Sequence, residues 1–476
     1  MSQVKSVIQK LIPLVNLELS YLRSERMIWI SGLIFMIVLT GELILTAHDH
    51  ARLRTAAERA TAAERENWLN QGDRDPHGAA HHGTFLFKPV LPVSLLDPGL
   101  LPYSGTTIRV EAHVRHRLTN RPAENDVELI RSSLSTPAKL VQGVIPLLLI
   151  LYGCGAITRE RQQGTFSIIR SFGIPWSLLI SAKNVALLVV AFILVSPYFI
   201  IGTGLSLYFE SLSGAQITLR VFLLGMGTAF YLFCWSCFVI MISARTRSSQ
   251  MSLTVLLMFW GITTLCLPPL STNLVSLTNA LPSQEEVRKW SNQRKYGNEE
   301  STNIYRKIRE ELTKEMLTKY QVKSTRELPF NFSGLVMLET EKVTDRFYQE
   351  DTDRLRELQK PYERAVAAAA WLSPFMAIHQ FTASLAGTDN YHHDHFDAAA
   401  EEYRQHLVQV VNKADTQKES PEALRGSSLW KAVREFEYQP PSVSAISHVL
   451  WSPILLLVIW LASSLVMAMK PNDSQG

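Results

Sequence analysis

Residues 138–183 read AKLVQGVIPLLLILYGCGAITRERQQGTFSIIRSFGIPWSLLISAK. An apolar run fills 138–157 and ends in the charged triplet Arg159-Glu160-Arg161. The chain then turns at Gly164 and enters a short apolar segment through Thr165 and Phe166. Gly173 and Pro175 stop that segment, and Lys183 lies near the start of a second apolar run. A bilayer core about 30 Å thick needs about 20 apolar residues per helix. The stretch therefore reads as two membrane spans joined by a charged connection.

Working outward, six segments fit the same template, at roughly 27–47, 138–157, 179–206, 218–243, 250–270 and 447–469. The first is too long, and too far behind the charged residues of 1–26, to resemble a cleaved leader. Mean hydropathy is only slightly positive, because the stretches 48–137 and 271–446 are as polar as soluble domains. The expected fold class is an all-α membrane protein, with six transmembrane helices and a large, mainly helical extracytoplasmic domain.

Lys and Arg in the short connections set the expected orientation. Lys5, Lys10, Arg23 and Arg26 precede the first span. Arg159, Arg161 and Arg170 lie in 158–178, Arg245 and Arg247 in 244–249, and Lys470 follows the last span. Alternation of six spans puts these four regions on one side. The opposite short connection, 207–217, has neither Lys nor Arg. Both termini are thus expected in the cytoplasm and both long polar segments outside.

Residues 4–22 place Val4, Val7, Ile8, Leu11, Leu14 and Val15 at helical spacing beside Lys5 and Lys10. That pattern predicts an amphipathic helix on membrane lipid, bent at Pro13. In the first polar segment, 51–70 reads as helix, 72–83 as a break, 86–102 as Pro-punctuated loop and Thr107–His113 as a short strand. In the second, 284–322, 335–370 and 396–413 read as helices. The apolar stretch 365–386 contains Pro374, His379 and Gln380, so it reads as a buried or interfacial helix of the outer domain and not a span. Pro146 and Pro197 are expected to kink spans 2 and 3, and the tail beyond Lys470 is expected to be disordered.

Several chemistries find no support. Net charge is +4 and no basic block interleaves with aromatics, so no nucleic-acid partner is expected. Cys154, Cys234, Cys237 and Cys266 all lie in apolar blocks, which leaves no disulfide for the polar parts, and the Cys234-x-x-Cys237 pair reads as packing. Glu42 falls near the outer end of span 1. Histidines gather at His48 and His50, at His77, His81 and His82, and at His392, His393 and His395 beside Asp394 and Asp397. Imidazoles with carboxylates can ligate metals, but these spacings match no recognised site and read as solvated loops. No metal site and no catalytic residue are expected.

The connection after span 2 carries the functional information. Gly164 permits a sharp turn. Residues 165–172 then form a short helix across the span axis, suited to a groove in a cytoplasmic partner, whose movement would tilt spans 2 and 3. The pattern of Glu160, Gly164-Thr165, a short apolar helix, Pro175 and Lys183 resembles the ABC-2 type permease family. One departure is Ala182, where that family often has Gly. In the family this element is the coupling helix that docks on the ATPase. The resemblance thus assigns coupling to Arg159, Glu160, Arg161, Gly164, Thr165, Phe166, Pro175 and Lys183. Glu18 through Arg26 (ELSYLRSER), with Glu18 and Arg23, resembles the family's N-terminal connecting helix.

The large outer insertions resemble one subfamily, described only as a domain of unknown function, through Leu372-Ser373-Pro374, Leu385-Ala386-Gly387-Thr388-Asp389, His395-Phe396 and Glu402-Tyr403-Arg404. No G-x-x-x-x-G-K-[ST] occurs, so the chain is not expected to cradle ATP phosphates, and no Ser-His-Asp or paired-carboxylate arrangement is visible, so it is not expected to be an enzyme. The resemblance implies a separate ABC ATPase subunit that binds ATP and Mg, a second permease of the same or a related kind, and the bacterial inner (plasma) membrane. The implied function is the permease subunit of an ATP-driven exporter. The alternative is a non-transporting ABC membrane subunit that transmits ATPase motion to periplasmic partners.

Overall fold

The computed structural model describes residues 2–125, 136–209, 214–296, 304–417 and 425–469. The expectations for Lys470 and the tail beyond it, for 297–303 within the helix read at 284–322, and for part of the 207–217 connection lie outside the described residues.

Among the described residues, six helices are long and apolar enough to cross a membrane: Arg26–Leu69, Pro137–Gln162, Trp176–Tyr208, Gly214–Arg245, Ser249–Ser276 and Ser447–Met469. They are called the first to the sixth long helix below. The first has 44 residues. At 1.5 Å per residue it is about 66 Å long, twice the thickness of a hydrocarbon layer. Its apolar first half ends near His48, and the helix continues unbroken as a charged arm into the polar part of the molecule. Span and arm differ in composition, not in backbone.

The fourth long helix forms the centre of the apolar bundle. Leu224, Tyr231, Leu232, Trp235, Cys237, Val239 and Ile240 along it are buried. It packs against the second, third and sixth long helices. At Pro146 and Pro197, where the ring leaves a gap in the helix ladder, a side chain occupies the carbonyl left over. Pro146 has no N–H to offer the carbonyl of Gln142, four residues back, and that oxygen accepts the Tyr231 hydroxyl at 2.5 Å. Pro197 leaves the carbonyl of Ile193, which accepts the Ser196 hydroxyl at 2.8 Å. A π-helical stretch, Leu140–Val144, precedes Pro146, and a second, Ile262–Cys266, interrupts the fifth long helix. Trp260 Nε1 donates to Gly143 O at 2.9 Å and Ser373 Oγ to Thr263 O at 2.7 Å, so a side chain from elsewhere occupies a carbonyl in each stretch.

The stretch 365–386 divides. The helix Phe332–Ala370 ends, Ser373 caps a new one through Met376 N at 3.1 Å, and Pro374 opens it. The resulting helix, Pro374–Ala386, has 13 residues, about 20 Å, too short to cross a hydrocarbon layer. It is buried, as its composition suggests. It packs chiefly against the fourth and sixth long helices, and also against Pro92–Leu95 of the first polar segment and the helix Phe332–Ala370 of the second. Gly227 makes this approach possible, because a Cβ there would overlap the Phe381 ring.

The two polar segments share one hydrophobic core. Trp68, Ala79, Ala80, Leu86, Ile108 and Val110 from the first pack with Phe396, Ala400, Leu407, Val408, Val411 and Trp430 from the second. Trp68 Nε1 donates to Trp430 O, and Trp430 Nε1 to Gly72 O, both at 3.0 Å. Strands β1 (Thr84–Phe87), β2 (Thr107–Glu111) and β3 (Val114–Arg115) form an antiparallel sheet in that order. The strand expected from Thr107 is β2, and its partner β1 lies where the sequence suggested a break and then loop.

The expected break at 72–83 also needs correction, because a seven-residue helix, Pro76–His82, forms inside it. Asp75 caps that helix by accepting from Gly78 N at 2.7 Å, Pro76 occupies its first turn, and Gly83 ends it at φ +61°. Asp-Pro before and Gly after were present in the sequence; the intervening histidines and Gly78 hid the helix they bound.

Candidate functional site

The residues marked by the sequence around Gly164 converge at one end of the apolar bundle. The second long helix loosens at 154–157, where Ser243 Oγ of the fourth accepts from Ile157 N at 3.0 Å and Thr158 N at 3.4 Å. A short helix, Thr158–Gln162, follows, then Gly164 at φ +73°, then the helix Thr165–Ser171. The left-handed backbone at Gly164 carries almost no penalty for glycine. Thr165 Oγ1 donates to Glu160 O at 3.2 Å across the turn. Gly173 at φ +67° ends the second short helix, and Pro175 caps the third long helix.

This turn holds the ends of its neighbours. Arg161 Nη1 donates to Ala244 O at 2.8 Å, at the negative end of the fourth long helix. Its guanidinium also lies 5.3 Å from the Phe166 ring centroid, and Phe166 meets Trp176 edge-on at 5.9 Å. Trp176 Nε1 donates to Ala468 O of the sixth long helix at 2.9 Å, and Arg245 Nη2 to Met467 O at 2.8 Å. Gln162 Oε1 accepts from Ser249 Oγ at 3.0 Å, which ties the turn to the fifth long helix. The charged connections 158–178 and 244–249, the N-terminal helix and the end of the last long helix therefore share one end of the bundle.

The node of this end is Lys183. Its side chain is 2% exposed, and its Nζ lies 2.6 Å from Glu160 Oε1 and 2.7 Å from Glu18 Oε1. Glu18 belongs to the helix Ser2–Ser24, which packs on the third long helix. One ammonium thus joins the connecting helix, the turn and the third long helix. Glu160 Oε2 is buried and takes no hydrogen bond among the described residues. Arg159 reinforces the junction by stacking over the Tyr21 ring at 3.7 Å and bonding its hydroxyl, and Tyr21 in turn bonds Glu25. Arg23 contributes its carbonyl, which accepts from Trp29 Nε1 at 3.0 Å. Tyr21, Trp176 and Ser243 were not singled out from sequence. Tyr21 alone left a trace, one helical turn from Glu18 and so on the same face.

Beyond this framework the helix Thr165–Ser171 projects. None of its residues is buried, and the apolar Ile168 and Phe172 are 56% and 77% exposed. A short helix with an open apolar edge, anchored at both ends to long helices, can transmit force between something that grips it and the bundle.

The polar domain has a junction of its own. The Arg404 side chain, 1% exposed, donates through Nη1 to Glu341 Oε1 at 2.6 Å, through Nε and Nη2 to Glu401 at 3.0 and 2.9 Å, and through Nη2 to Asp345. Burial disfavours the ionised form of Glu341, but hydrogen bonds and charge from His113 and Arg404 outweigh it and hold its carboxyl at about 2. For Asp345 burial outweighs the attraction of Arg404 and pushes it up to about 6. Arg115 extends the network to Asp397 at 2.9 Å and Thr352 at 2.7 Å. The β2–β3 hairpin is thereby fastened to the helices Phe332–Ala370 and Asn390–Asp415.

Beside this network lies an open cleft of about 1510 Å³, with Tyr103, His113, Tyr348, His393 and Asp394 in its wall. Of the histidines marked in the sequence, His77 and His81 come together here with His113, which was not marked. His48, His50, His82, His392, His393 and His395 do not join them.

Residues 286–439 match a family described as a domain of unknown function (DUF3526). The match lies within the second polar segment, includes Arg404 and the helix Pro374–Ala386, and leaves the turn at Gly164 outside. No curated protein matches the chain.

Proposed function

We propose that this chain is the membrane-spanning permease subunit of an ATP-driven ABC exporter of the ABC-2 type. The observation that carries the proposal is the exposed helix Thr165–Ser171, held to the bundle through Gly164, Arg161 and the Lys183 node. In this reading a separate ATPase grips Ile168 and Phe172 from the cytoplasm. Its nucleotide-driven movement is passed through Glu160 and Lys183 to the third long helix and through Glu18 to the connecting helix. The apolar residues exposed along the first long helix, such as Leu33, Ile34 and Ile37, suit lipid or a second permease. The charged connections gathered at one end fit both termini in the cytoplasm of a bacterial inner membrane, with the polar domain outside.

The size of the composite polar domain and its open cleft favour a second reading, in which ATPase motion acts on extracytoplasmic partners without transport. Purification from the native host with identification of co-eluting proteins tests for the ATPase. A cysteine at Ile168 should crosslink to that subunit, and Glu160→Ala with Gly164→Val should uncouple ATP hydrolysis from the permease while membrane insertion is kept. Wild-type coupling in the double variant sinks the proposal. Substrate flux in proteoliposomes separates export from the second reading.

A further inference from the structure

We propose that His77, His81 and His113 form a binding site for a divalent transition-metal ion of the zinc type, built where the two polar segments meet. The helix Pro76–His82 has only two turns, and His77 and His81 are four residues apart on it, so both imidazoles leave the same face. Their Nε2 atoms are 3.2 Å apart. A zinc ion with bonds of about 2.05 Å in tetrahedral geometry separates its ligand nitrogens by about 3.4 Å. The helix therefore presents two ligands at close to the required spacing before any metal is bound.

His113 brings the third. It occupies the β2–β3 turn at φ +62°, a conformation uncommon for a residue with a Cβ. Strained backbone persists where the surroundings over-determine it, and here they do. His113 N donates to both oxygens of Glu341, at 3.3 and 3.2 Å, and its carbonyl accepts the Tyr348 hydroxyl at 2.8 Å. Its Nδ1 lies 2.6 Å from Glu341 Oε2, so the atom it brings to the cluster is Nε2. A carboxylate on the far nitrogen, fixing ring orientation and tautomer, is the usual support for a metal-binding histidine. The ring centroids of His113 are 5.1 Å from those of His81 and 5.8 Å from those of His77, and one ligand atom from each of the three lies within 4.8 Å of the others. Side-chain rotations moving these atoms by about 1 Å close the set to bonding geometry.

The donors indicate the ligand class. Three neutral imidazoles and no thiolate suit zinc, copper(II) or nickel and give magnesium or calcium nothing they prefer. Three protein ligands leave a fourth position open, and His81 and His113 line the 1510 Å³ cleft from which water or a further ligand can reach it. All three ligands come from the first polar segment, and Glu341, which positions His113, comes from the second. Bound metal would therefore fix the helix Pro76–His82 to the β2–β3 turn that Glu341 holds from the second segment, and raise the melting temperature by mass action.

The test uses the full chain in detergent, stripped with a chelator and titrated with zinc chloride against a chromophoric competitor. Saturable binding of one zinc per chain is expected, with magnesium chloride giving none. His81→Ala and His77→Ala should each weaken zinc by more than about tenfold. His82→Ala, on the same helix but outside the trio, should leave it unchanged. His81 is exposed, so the metal-free His81→Ala variant should melt with the metal-free wild type, which separates loss of a ligand from loss of fold. Absence of saturable zinc binding overturns the proposal, and so does wild-type affinity in a His77→Ala, His81→Ala double variant.

Discussion

At the base of the bundle a single ammonium, that of Lys183, is shared by one oxygen each of Glu18 and Glu160. In the polar domain a single guanidinium, that of Arg404, spreads over Glu341, Asp345 and Glu401. Both cations are almost fully buried and both join segments distant in sequence. They differ in how they hold. An ammonium is a point charge on a flexible stem, and carboxylates can shift around it; a guanidinium fork fixes direction as well as distance. The surroundings repeat the contrast. Around Lys183 lie short helices, left-handed glycines and an exposed helix. Around Arg404 lie two long helices, a sheet and a second layer of ion pairs. The base is built as a joint and the polar domain as a lock.

The largest expected effect comes from breaking the lock. Arg404→Ala leaves three carboxylates clustered without their shared cation, and removing one partner from a buried charge network costs about 3–5 kcal/mol. The expected outcome is a polar domain cleaved by protease within 332–415 under conditions where the apolar helices stay intact. An unchanged digestion pattern would mean that the shared core around Trp68 and Trp430, and not Arg404, holds the two segments together.

Breaking the joint should cost less. Lys183→Met strands Glu18 and Glu160, which keep partial access to water, so the penalty is that of unsatisfied polar groups, about 1–3 kcal/mol. The consequence should be local: the connecting helix separates from the turn. Spin labels at the exposed positions Ser20 and Gln163 should report a longer and broader distance in the variant, with the polar domain as protease-resistant as before. A greater loss of stability than in Arg404→Ala would reverse the contrast.

The joint was legible in the sequence one residue at a time. Glu18, Glu160 and Lys183 were each marked, but their meeting was not, because spacing along a chain does not say which helix packs on which. The six long helices were legible because a bilayer demands a length and a composition that few other structures need. The lock was nearly invisible. Arg404 appeared only in a short subfamily pattern, and its partners at 341, 345 and 401 look like the solvated face of any charged helix. His113 carried no signal, since its role depends on a positive φ imposed by Glu341 and Tyr348 from a distant segment. The helix Pro76–His82 could have been found from its Asp-Pro start and Gly end, which outweigh poor helix formers between them.

The smallest expected effect tests the joint at its thinnest point. Gly164 has φ +73°, yet a Cβ built there would meet no atom within 4 Å. Gly164→Ala therefore meets no clash, and its whole cost is the left-handed backbone, about 1 kcal/mol. Gly387 makes the contrast in the stiffer part of the molecule. Its φ is nearly the same, +75°, but a Cβ there would run into Leu91. Gly387→Ala should thus add steric overlap to the backbone cost and lower the melting temperature further than Gly164→Ala. If the two alanine variants melted together, or Gly164→Ala were the worse, the turn would be held as tightly as the polar domain, and a joint at this position would lose its physical basis.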